Sequence, residues 1–108
     1  AIMQDLFSWQ FRTDKKPKSG IKNIIDSLSV IDKLITKSAP GRPIGEINRI
    51  DLAILRLAVF ELIIEVGVPP KVVIDEAVEL SKEFGSDSSA AFVNGALGKI
   101  IEIKKIAT

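Results

Sequence analysis

The sequence predicts an all-α protein, a helical bundle forming one domain or one domain made of two small subdomains. Three observations carry that expectation. Apolar residues recur at i, i+3, i+4 and i+7 in successive segments, and none of the segments reads as a strand. All five prolines and most of the glycines fall between those segments, at Pro17 and Gly20, Pro40 to Gly45, Gly67 to Pro70, and Gly85. The 108 residues are 46% hydrophobic and 27% charged, which suits a single folded domain and argues against general disorder.

Each element follows from its own residues. IMQDLFSWQF (2–11) sets Ile2, Leu6, Phe7 and Trp9 in a short helical pattern, with Met3 beside them, and reads as the end of a helix. RTDKKPKSG (12–20), broken by Pro17 and Gly20, reads as a loop. Its run Lys15-Lys16-Pro17-Lys18 has the chemistry to touch phosphate, although lysine clusters in loops usually just solvate. From Ile21 the helical rule is kept by Ile24, Ile25, Leu28, Ile31, Leu34 and Ile35, with Lys22, Asp26, Ser29 and Lys33 on the other face. SAPGRPIGE (38–46) ends that helix, because two prolines and two glycines forbid continuation.

INRIDLAILRLAVFELIIEVG (47–67) is the most apolar stretch. Ile50, Ile54, Leu57, Ala58 and Leu62 share one face while Leu55, Val59 and Ile63 cover a flank, so this helix belongs at the centre of the bundle. Arg56 and Glu61 inside it need partners if buried, and a structural ion pair is the preferred reading of Arg56. KVVIDEAVELSKEFG (71–85) aligns Val73, Ala77, Leu80 and Phe84 on one face, with Gly85 placed as a C-terminal cap. Ser86 to Ser89 offer N-cap candidates for the last helix, which runs through FVNGALGKIIEIKK with Phe92, Ala96 and Ile100 on one stripe.

Composition excludes more chemistry than it suggests. Histidine and cysteine are both absent, so neither a Ser-His-Asp nor a Cys-His unit can be built, nor a zinc site of the usual Cys/His type. Asp75, Glu76 and Glu79 form the densest acidic group and read as a solvated helix face rather than a metal or acid–base site. No catalytic residue, metal or cofactor is expected, and the protein is not expected to be an enzyme. The lack of cysteine fits a reducing compartment, and no apolar run approaches the ~20 residues needed to cross a bilayer, so a cytoplasmic location is expected. A net charge of +1 is too small to argue nucleic-acid binding, which must then come from local placement.

One feature resists the helical reading. Asn94-Gly95 is a strong turn dipeptide set in the middle of the last helix, where glycine costs about 1 kcal/mol relative to alanine. Two explanations stand: tight packing of a neighbouring helix against Gly95, with Asn94 capping a nearby loop, or close approach of a ligand.

Three segments in collinear order, IDLAILRLAVFEL (50–62), VPPKVVIDEAVELSKEFG (68–85) and SSAAFVNGALGKI (88–100), closely resemble the family of the bacterial transcription antitermination factor NusB. IMQDLFSWQF looks like the end of that family's first helix, and SVIDKLITKSAPGRPIGEI (29–47) fits as well, with RPI where members commonly carry a tryptophan. The resemblance implies one domain over 1–108, a NusB-like bundle of two packed helical subdomains at approximately 1–40 and 41–108. It implies a non-catalytic protein that binds boxA RNA together with NusE, a protein of the small ribosomal subunit. That pair would join NusA, NusG and RNA polymerase to suppress termination during ribosomal RNA synthesis, and some members act as homodimers. Residue by residue, it implies partner contact at Phe7, Trp9, Phe11 and Asp51. It implies RNA contact at Ser88, Ser89, Phe92 and Asn94, and the lysines Lys15, Lys16 and Lys18 join that set as phosphate contacts.

The sequence departs from the family in two places. The Arg-rich arm that leads into helix one is not in it, and RTDKKPKSG is much shorter than the usual segment between the first two helices. Weaker phosphate contact is the expected consequence of a missing arm. Two competing readings are the RNA-binding domain of a ribosomal RNA cytosine methyltransferase, and a protein-interaction module lacking RNA binding.

Overall fold

The computed structural model describes all 108 residues and is helical throughout its regular structure. Helix α1 spans Ile2–Trp9, α2 Lys22–Asp26, α3 Leu28–Ser38, α4 Arg49–Val59, α5 Pro70–Phe84 and α6 Ser89–Ile103. Short 3₁₀ turns at Ser19–Ile21 and Ile44–Glu46 lead into α2 and α4. A π-helical turn, Phe60–Ile64, prolongs α4.

The central position expected for α4 is what the packing shows: it touches α1, α3, α5 and α6. Asn48 caps its start, the side-chain oxygen accepting from the N–H groups of Ile50 and Asp51. A single cluster of 22 buried residues draws on every helix, from Met3 and Leu6 through Ile31 and Ile35 to Val93, Leu97 and Ile100. Pro70 opens α5 at a position where its missing N–H has no helical partner to lose. No helix is long and apolar enough to cross a membrane.

Two expected helices differ in detail. The helix from Ile21 is broken at Ser27, whose backbone (φ −103°, ψ 6°) leaves the helical region and separates α2 from α3. The apolar spacing continues through the break, so periodicity alone does not reveal it. After Val59 the turn widens, with Glu65 N–H donating to Phe60 C=O at 2.9 Å, and both Phe60 and Leu62 join the core. At the far end α6 closes on a Schellman arrangement: Ile106 N–H donates to Ile101 C=O and Lys105 N–H to Glu102 C=O. Lys105 takes the left-handed position there at φ 52°.

Arg56 is held as a structural ion pair. Its Nε and one terminal nitrogen donate to the two carboxylate oxygens of Asp32 at 3.0 and 2.9 Å, and the other terminal nitrogen donates to Gln10 Oε1 at 3.1 Å. Gln10 in turn donates from Nε2 to the carbonyl of Arg49 at 2.9 Å. The network ties the end of α1 to α3 and α4.

Candidate nucleic-acid interface

The corner between α5 and α6 is set by Gly85. A Cβ there would lie 2.5 Å from Ser89 Oγ and 2.7 Å from the carbonyl oxygen of Ser81, closer than real side chains come. Its backbone is extended, so the demand on glycine is lack of bulk rather than a left-handed turn. Ser89 is fully buried in that corner, and its Oγ accepts from Ser86 N–H at 2.9 Å. This hydroxyl orders the loop; burial removes Ser89 from direct contact with an RNA in this conformation. Ser88, the neighbouring N-cap residue, is exposed.

Along α6 the core takes Val93, Ala96, Leu97 and Ile100, leaving Ala91, Asn94, Gly95, Gly98 and Lys99 in solvent. A Cβ added at Gly95 or Gly98 would meet nothing within 4 Å. Packing therefore does not explain Asn94-Gly95, and Asn94 makes no side-chain hydrogen bond to a neighbouring loop. What the small residues create is a low, open ridge on the outer face of the helix.

The two borders of that ridge differ. Residues two apart on a helix point about 160° away from each other, so Phe92 and Asn94 lie on opposite flanks. On the Phe92 side, Arg42 from the α3–α4 connection stacks its guanidinium 4.3 Å from the ring centroid. Phe92 itself is half-buried against the core, so the accessible plane on this flank belongs to the exposed Arg42. On the Asn94 side lies a groove between α5 and α6 bordered by Asp75, Glu79 and Lys82, with Glu79 paired to Lys82 at 3.5 Å. One flank is cationic and planar, the other acidic.

The residues expected at a protein partner separate in the same manner. Phe7 and Phe11 meet edge-to-face at 5.0 Å, and Arg49 lies 5.4 Å from the Phe11 ring, which is 56% exposed. Trp9 faces elsewhere and lines a pocket with Lys15, Lys16 and Lys18. Asp51 is only 4% exposed, with Oδ1 buried and unpaired in the first turn of α4, so it offers almost no surface in this conformation. Arg42 and Arg49 are not among the residues expected at either surface; the signal that picks them out is their stacking on aromatic rings, a tertiary property. No group of histidine, cysteine or carboxylate side chains is arranged to hold a metal.

Comparison with known proteins gives a consistent picture. The profile of the NusB family matches residues 2–102. The transcription antitermination protein NusB of Treponema denticola is 40% identical over 109 residues, covering 93% of this chain and 80% of that relative. The protein of the same name from Chloroflexus aggregans is 49% identical over 75 residues, covering 68% of this chain and 50% of its own length. The chain thus spans about half of some relatives it matches. Among solved structures, T. maritima NusB superposes with a TM-score of 0.85 at 31% identity, over 94% of this chain and 85% of that one. These relatives are named for transcription antitermination, not for a catalysed reaction.

Proposed function

The chain belongs to the NusB family, and from that premise we propose that it acts in transcription antitermination by binding boxA RNA together with NusE. The observation that carries the RNA half of this reading is Arg42 stacked on Phe92 beside the open ridge of α6. Arginine on an aromatic ring presents a flat cationic surface on which a splayed base stacks, with N–H donors at its edge for phosphate. Gly95 and Gly98 let a sugar–phosphate backbone come close to the helix, and Ser88 and Lys99 stand on the same side with a hydroxyl and a cation. Asn94, on the acidic flank, is suited to a base edge better than to phosphate.

NusE is assigned to the α1–α4 junction, where Phe7, Phe11 and Arg49 form an aromatic and cationic surface. NusA, NusG and RNA polymerase complete the proposed assembly. Lys15, Lys16 and Lys18 supply further phosphate contacts.

A fluorescence-anisotropy titration of labelled boxA RNA tests this reading, run at two salt concentrations, beside a scrambled RNA, with and without NusE. The expected outcome is preferential, salt-sensitive binding that NusE strengthens. Arg42→Ala should lower affinity by about tenfold or more, the scale of a stacking contact of about 1–3 kcal/mol. No preference for boxA even with NusE, or an unchanged affinity in Arg42→Ala, would contradict it.

A further inference from the structure

At the C-terminal end of α1 a pocket is lined by Ser8, Trp9, Arg12, Lys15, Lys16 and Lys18, with Asp5 at its edge. Lys18 Nζ sits 3.2 Å from the Asp5 carboxylate, which neutralises the one acidic group lining the pocket. Arg12, Lys15 and Lys16 form no ion pair. A freely solvated loop would let such cations diverge, yet here all of them border one concave surface, with the half-buried Pro17 among them. The indole ring of Trp9 forms part of the same lining.

We propose that this pocket is an oxyanion site that seats one phosphate group, taken either from an RNA backbone or from free phosphate. Phosphate matches the donor set: it is anionic, offers acceptors in several directions, and suits Arg12 and the two lysines together with the exposed Ser8 hydroxyl. The carbonyls at the end of α1 oppose an anion, so the three unpaired cations must provide the attraction. The site deepens the RNA reading by naming the chemistry of one contact, and it rests on that reading only for RNA as a source.

Trp9 is the protein's single tryptophan, so its fluorescence reports on the pocket alone. The full chain is titrated at constant ionic strength with inorganic phosphate, with chloride as control, and with a short single-stranded RNA of scrambled sequence. Parent protein is compared with a Lys15→Gln, Lys16→Gln double variant, both positions being exposed loop residues. A saturable change with inorganic phosphate, weakened tenfold or more in the double variant, assigns the site to free phosphate. Saturation with the RNA only, lost in the double variant, assigns it to backbone phosphate. A response to neither, or one the double variant leaves unchanged, overturns the site. Normal boxA binding in anisotropy beside a silent Trp9 would remove the pocket and leave the RNA reading standing. A phosphate response beside absent boxA binding would do the reverse.

Discussion

Two glycines of the C-terminal helical pair have opposite physical roles. Gly85 is enclosed by Ser81 and Ser89, whereas Gly95 faces open space. Gly85→Ala should therefore destabilise the protein by about 1–3 kcal/mol, since the added methyl group must displace a buried side chain and a helical carbonyl. Gly95→Ala should stabilise it by up to about 1 kcal/mol through helix propensity, while weakening RNA binding by narrowing the approach to the ridge. Thermal denaturation of both variants checks the first part, and the same samples in RNA titrations check the second. The sequence singles out Gly95, because a turn dipeptide inside an apolar stripe is visible by spacing. Gly85 reads only as a cap, because the approach of Ser89 is set by how two helices meet, and spacing along one chain does not contain that.

Among the elements, periodicity locates the helices and assigns most of their buried faces. It finds α4 as the central helix and Ala96 and Ile100 as part of the core stripe of α6, whereas Phe92, expected on that stripe, is only half-buried and Val93 and Leu97 beside it are fully buried. It fails at Ser27 and at Phe60–Ile64 for one reason: a local change in winding leaves the apolar spacing close to helical on both sides. The widened turn has an electrostatic consequence. Glu61 lies in it, half-buried, and burial raises its pKa above the usual 4.5, with the Glu65 and Glu76 carboxylates pushing the same way. A carboxyl with a raised folded-state pKa binds its proton more readily when folded, so its contribution to stability falls as pH rises from the usual value through the raised one. Glu61→Gln should then be more stable than the parent at pH 7, by less than about 1 kcal/mol because water screens a half-exposed group. The advantage should shrink as pH is lowered through that window. Paired denaturation curves between pH 4 and 8, expressed as a difference between variant and parent, isolate this group from the other carboxylates.

Across the whole molecule, the Arg56–Asp32–Gln10 network and the core of α4 hold two surfaces in fixed relation: the Phe7, Phe11 and Arg49 surface, and the α6 ridge flanked by Arg42. The family, the all-α class and several of these side chains are legible in the sequence, through the FVNG helix and the aromatic first helix. What is not legible is which of them cooperate. Phe92 and Asn94 are neighbours in sequence but border opposite flanks, and Trp9 leaves Phe7 and Phe11 to join the lysines. Asp51 and Ser89 turn inward. On the reading proposed above, RNA lies along the Arg42 flank of α6. Amide chemical-shift mapping of the ¹⁵N-labelled protein against boxA RNA tests it most directly. The largest shifts should fall at Gly41, Arg42 and Ile44 and at Ser88, Gly95, Gly98 and Lys99. Specific binding with those amides unmoved, and shifts gathered instead along the acidic groove of Asp75 and Glu79, would contradict it.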